Sequence, residues 1–162
     1  MSETSAPIHT HSDSVEIDAP PSLVWGLVTA MERYGEWSSE NAGGRWRKRE
    51  DGTEGTGEVG DMFVGVNRRG EDEWKAPVEV VTRDEGKVFG FVTGGLDWNI
   101  ALWRYSLEPA GAGTRLTEYY ELRNLSPLMK EHGQPEIDRR MANMRESIRA
   151  TLEGMKAAAE AG

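Results

Sequence analysis

Between Gly43 and Arg123 the chain alternates apolar and polar residues with period two, and only short turns break the pattern. Successive side chains of a strand point to opposite faces, so this alternation commits the middle of the molecule to β-structure. Strands are predicted at about residues 44–50, 60–69, 73–83, 87–93, 97–108 and 114–123. Asp51-Gly52 through Gly57, Arg69-Gly70, Glu85-Gly86, Gly94-Gly95 and Ala110 to Gly113 supply the turns. Links this short join consecutive strands into an antiparallel meander.

Helices flank the meander. Val24, Leu27, Val28 and Met31 form one apolar stripe after Pro20-Pro21, and Tyr34 to Trp37 reads as a second short turn. A kinked link is expected from Asn124 to Gly133. Beyond it, Ile137, Met141, Met144, Ile148, Leu152 and Met155 recur at steps of three and four, which predicts one long amphipathic helix. At the other end, residues 1–13 are polar and unpatterned and are expected to be a disordered tail. A first strand is expected to begin at Ser14, with Val15 and Ile17 on one face, so residues 14–160 form a single domain.

Composition removes several functions. The chain has 162 residues and no cysteine, which excludes disulfide scaffolds, iron–sulfur clusters and thiol nucleophiles. Of its three histidines, His9 and His11 fall in the expected tail, and His132 lies in the link with no nucleophile motif near it. A net charge of −9 argues against nucleic acid. The short basic run Arg45, Arg47, Lys48, Arg49 reads as a solvated strand face. The longest near-continuous apolar run, Leu23 to Met31, is far short of the roughly 20 residues a membrane span needs. With no basic and apolar leader either, a cytoplasmic location is expected. Gly55-Thr56-Gly57-Glu58-Val59-Gly60 spells G-x-G-x-x-G, but it leads into a strand, and Glu54 and Glu58 would repel phosphate. No cofactor or metal is expected.

Strand parity sorts the side chains into two faces. One face would carry Phe63, Gly65 and Asn67, then Trp74, Ala76, Val78 and Val80, then Phe89 and Phe91. Asn99, Ala101, Trp103, Tyr105 and Leu107 continue it, followed by Leu116, Glu118, Tyr120 and Leu122. Trp98, Ile100 and Leu102 break the alternation, which implies a bulge or a cover at the start of that strand.

The frame Val24-Trp25, Glu36-Trp37-Ser38, Gly60-Asp61-Met62-Phe63-Val64-Gly65-Val66-Asn67-Arg68 resembles a known pattern. So do Trp103 to Pro109 and Gly113-Thr114-Arg115-Leu116-Thr117-Glu118. Together they are similar to the polyketide cyclase/dehydrase branch of the START-like, or SRPBCC, superfamily. The resemblance covers about residues 14–160. It implies an α+β helix-grip fold: a seven-stranded curved antiparallel sheet around a long C-terminal helix, with one or two short helices after the first strand. The branch's frequent Trp-Ser-Pro-Glu stands here as Trp37-Ser38-Ser39-Glu40.

A curved sheet leaves space under its helix, and the inward side chains either line that space or fill it. If they line it, the ligand-binding set is Phe63, Asn67, Trp74, Phe89, Phe91, Trp103, Tyr105, Glu118 and Tyr120, with Met141 and Met144 from the helix. The adaptable methionines suit varied ligands. Glu118 must be paired, with Arg140 as the obvious partner, or serve as a ligand anchor, or act as an acid or base. The leading expectation is a protein that binds a small hydrophobic molecule such as a lipid, polyketide or aromatic metabolite. The alternatives are a polyketide cyclase/aromatase or dehydratase using the same cavity, and a protein-interaction or quinone-chaperone role.

Overall fold

The computed structural model describes residues 6–162. Strand β1 (His9–Ile17) leads into α1 (Pro21–Val28) and a 3₁₀ turn (Met31–Glu36). The meander follows as β2 (Asn41–Trp46), β3 (Met62–Arg69), β4 (Asp72–Asp84) and β5 (Val88–Thr93), then the helical turn α2 (Gly95–Trp98), β6 (Ala101–Ala110) and β7 (Gly113–Leu122). The short α3 (Pro127–His132) and the long α4 (Gln134–Ala161) complete the chain. All seven strands form one antiparallel sheet in the order β1-β7-β6-β5-β4-β3-β2. This is the helix-grip architecture expected from the sequence.

Local chemistry accounts for the register. The β3–β4 and β6–β7 hairpins pair Arg69 with Asp72 and Ala110 with Gly113, leaving two-residue loops that begin on Gly70 and Gly111. Both glycines have positive φ, 63° and 59°, as the tight turns that match strand twist require. In β4 a register shift between Val80 and Thr82 places Arg83 opposite Phe89. Its guanidinium then stacks over the Trp25 and Phe89 rings at 5.6 and 5.9 Å. On α4 the stripe from Met141 to Met155 is buried, and Ile137 packs at its margin. Gly154 permits the closest approach of that helix, since a Cβ there would lie 2.7 Å from the Trp37 side chain.

Four expectations need correction. The sheet begins at His9, not Ser14: His9 to Asp13 pair with Leu122 to Glu118 of β7. This segment has no apolar alternation because its inner face meets charged groups of α4, where Arg149 Nη1 donates to Asp13 Oδ2 at 3.0 Å. Residues 1–5 of the expected tail lie outside the described residues. Next, strand β2 covers 41–46 where 44–50 was expected, and β6 starts at Ala101 where 97 was expected. Residues 95–98 instead wind into α2, which ends on Asn99 in a left-handed conformation (φ 46°). That turn explains why Trp98 and Ile100, which precede β6, break the alternation.

The link after β7 also contains a helix. Ser126 caps α3 by accepting from the Met129 N–H, Pro127 stands at its first turn, and Gly133 ends it. Finally, Arg49 is not a solvated strand residue. Its Nε and Nη2 both donate to the Asp61 carboxylate at 2.8 Å. The amides of Thr56, Gly57 and Glu58 donate to the same carboxylate at 2.9, 3.1 and 3.0 Å. The glycine-rich loop is thus an anion nest whose anion is the chain's own Asp61.

Pairing of β1 makes a measurable claim. Deleting the chain through Asp13 strips β7 of its partners from Glu118 to Leu122 and should lower Tm by roughly 5 °C or more. A calorimetric melt unchanged by that deletion would show that the segment adds nothing to stability.

Candidate ligand-binding site

The concave face of β3–β7, α4, α3 and the 3₁₀ turn enclose a cavity of about 510 Å³. Strand parity places its wall. Phe63 and Asn67 come from β3, Trp74 from β4, Phe91 from β5, Trp103 and Tyr105 from β6, and Glu118 and Tyr120 from β7. Met141 and Met144 close it from α4. Ten of the eleven residues expected from the sequence therefore share one cavity. The space persists because small residues stand among the large ones: Gly65 faces Ala76 across β3–β4, and Ala101 begins β6.

Phe89 is the exception. It lies on the same face but beyond the cavity, fully enclosed and edge-on to Trp25 at 6.2 Å between ring centroids. Helix α1 covers that end of the sheet and fills it. Asn99, also expected inward, instead accepts from Arg123 Nη1 at 2.9 Å. The sequence reading missed part of the wall. Tyr34 enters from the 3₁₀ turn, Leu128 and Met129 from α3, and Thr151 from α4 two turns beyond Met144. The Ser-Pro cap and terminal glycine of α3 were the available signal.

The cavity has two ends. At the outer end Leu128 and Trp98 are exposed, and Asn67, Trp74 and Arg140 are half-buried. At the inner end Met31, Tyr34, Tyr105, Glu118 and Thr151 are all buried. Trp103 lies along the wall, edge-on to Tyr120 at 4.7 Å, with Nε1 donating to Thr93 Oγ1 at 2.9 Å.

Glu118 dominates the electrostatics of the inner end. It is 3% exposed, and its Oε1 has no hydrogen-bond partner among the described residues. Arg140 does not pair with it, because Arg140 Nε donates to Glu136 Oε2, one helical turn earlier. Burial pushes the Glu118 carboxyl up to about 8, against a lowering by the Tyr105 hydroxyl beside it, and the charge of Asp13 adds to the rise. Burial also raises the Tyr34 and Tyr105 hydroxyls well above their ordinary range, and Glu118 adds to both rises. The inner end is therefore a cluster of uncharged oxygens at neutral pH.

The family model for polyketide cyclase / dehydrase and lipid transport proteins matches residues 9–160. The chain belongs to that family. The match begins at His9, where β1 begins. The polyketide cyclase-like protein Cgl2372 of Corynebacterium glutamicum is 29% identical, with a TM-score of 0.59 over 91% of this chain and 88% of that one. The protein TTHA0849 of Thermus thermophilus superposes with a TM-score of 0.71 at 18% identity, over 94% and 98% of the two chains. A START superfamily protein of Mycobacterium smegmatis gives 0.66 at 18%, over 93% and 98%. No curated protein matches the chain. No helix among the described residues is long and apolar enough to cross a membrane.

Proposed function

We propose that this family member binds a small, largely apolar molecule between the sheet and α4, with Phe63, Phe91, Trp103, Tyr120, Met141 and Met144 as its main contacts. The observation that carries this reading is the cavity itself, about 510 Å³ under the helix with apolar walls. That volume falls within the roughly 300–1,000 Å³ typical of small-molecule sites. A fused-ring or elongated ligand suits walls made of flat aromatic side chains.

Ala76→Phe provides the test. Ala76 lies on the cavity wall beside Gly65, so a phenyl ring there has space to enter without displacing the core. The variant should keep the wild-type Tm within a few degrees and lose binding of an apolar fluorescent probe at least roughly tenfold. Equal probe binding by both proteins would place the probe elsewhere and overturn the reading. Native mass spectrometry of gently purified protein would show a retained ligand by its mass.

A second reading, a cyclase, aromatase or dehydratase, draws on Glu118. A carboxyl pushed to about 8 inside a ligand-sized cavity holds its proton at neutral pH and can deliver it to a bound molecule. On that reading Glu118→Gln retains ligand and loses turnover.

A further inference from the structure

The hydrogen bonds at the inner end have a direction. Tyr34 donates its one proton to the Val28 carbonyl, which can only accept. The Tyr34 oxygen is then left as an acceptor, and the neighbouring Tyr105, whose ring is 6.1 Å from that of Tyr34, has a hydroxyl that can turn its proton toward it. Tyr105 in turn can accept from Glu118, and a protonated carboxyl supplies that proton. One ordering, Glu118 to Tyr105 to Tyr34 to Val28, would serve each hydroxyl in turn, and its last hydrogen bond, Tyr34 to Val28, is formed in the structure. Reversing it would leave the Tyr34 oxygen unserved and an ionised carboxylate buried beside Asp13, which is itself held by Arg149. Of the other charged groups of the cavity wall, Arg140 is engaged by Glu136, Glu40 lies 3.7 Å from Arg69, and Lys75 is exposed to solvent.

With its proton directed to Tyr105, the carboxyl keeps one oxygen that can only accept. That oxygen has no donor among the described residues, matching the orphaned Oε1. Rotation about the terminal carboxyl torsion is soft, so either oxygen can turn to the cavity. Resting on the cavity-binding reading, we propose that Glu118 is the specificity-determining residue of an inner subsite for an uncharged hydroxyl on the ligand, as on a phenol or a ring alcohol. The ligand's O–H donates to the neutral carboxyl while its ring body lies among the aromatic walls. An ether or ketone at that position meets acceptor against acceptor, and a charged group meets a dry interior.

Calorimetric titration at about pH 6, where β-naphthol and the carboxyl are both neutral, tests this with three probes of similar shape. β-Naphthol donates, its methyl ether only accepts, and β-methylnaphthalene does neither. The naphthol should bind roughly tenfold more tightly than the other two, because a site built for a donor rejects the analogue lacking it. Glu118→Gln should keep the preference, since its amide N–H₂ serves Tyr105 and its carbonyl still accepts. Glu118→Leu should erase it. Tyr105→Phe, a second handle, frees the carboxyl proton and should narrow the handicap of the methyl ether. Equal affinity of all three probes for the wild type overturns the subsite and leaves the cavity reading standing. A naphthol preference that survives in Glu118→Leu overturns the role of Glu118. Failure of every probe to bind overturns the cavity reading and this inference with it.

Discussion

Glu118→Gln is expected to make the protein more stable at pH 7.5 and to leave it nearly unchanged at pH 4. The wild-type carboxyl is pushed from 4.5 in the unfolded chain to about 8 in the fold. Between those limits the folded state holds a proton that the unfolded state releases. The wild type therefore has its full stability below about pH 4.5 and loses it as pH rises toward 8, at about 1.4 kcal/mol per pH unit for a fully buried group. The total is on the order of 5 kcal/mol, large beside the whole stability of a domain. Glutamine keeps the shape and polarity of the neutral acid and cannot ionise. Chemical denaturation of both proteins from pH 4 to 8 should show the two curves diverging across this window. Parallel curves would mean that the carboxyl is ionised in the fold, which would also undo the ordering through Tyr105 and Tyr34.

The second large effect belongs to Asp61. Its carboxylate is 6% exposed and receives two N–H groups from Arg49 and three backbone amides from the loop at 56–58. The Arg49 hydrogen bonds are the main reason that its carboxyl sits well below the usual range, with the amides adding to the shift against the cost of burial. Asp61→Ala leaves the three amides without an acceptor while the partly exposed Arg49 can turn to solvent, and should cost about 2–3 kcal/mol, within the range for hydrogen bonds to a charged group. The contribution is present above the ordinary aspartate value near 3.8 and is lost as pH falls below it. The wild type should thus approach the variant only in strong acid. A variant within 1 kcal/mol of wild type in urea denaturation at about pH 7 would show that the nest is not needed to hold the loop.

Much of the fold is legible in the sequence because strands and α4 bury one face and wet the other. Phe63, Trp103 and Tyr105 could be assigned by parity, and Met141 and Met144 by helical period. Where that contrast fails, the reading fails. The inner residues of β1 at its start, His9, His11 and Asp13, carry no apolar signal, and the last two of them have Arg145 and Arg149 of α4 as neighbours. Residues 95–98 carry alternating bulk, yet Gly94 and Gly95 have positive φ and turn the chain into a helix. Periodicity reports which face a residue is on but not what covers it. Phe89 and Phe91 share a face, yet α1 lies over the first while the cavity opens beside the second. Likewise, parity brings Glu118 inside without saying that Arg140 has Glu136 for a partner one turn away. Cavity and core look the same in one dimension.

The strand order has a consequence for how the chain is made. The first strand to be synthesised, β1, has β7 as its neighbour in the sheet, with His9 against Leu122. Every other pairing joins strands adjacent in sequence and can close as soon as its hairpin is complete. On the ribosome, then, β1 must wait until the six other strands, through Leu122, have emerged before it has an edge to join. Loop-closure entropy grows only slowly with length, so the wait is mainly one of order, with a modest thermodynamic cost. What waits is also soluble: the polar character of His9 to Asp13, which hid the strand from a reading of the sequence, gives this unpaired segment little to aggregate with while the rest of the sheet is being built.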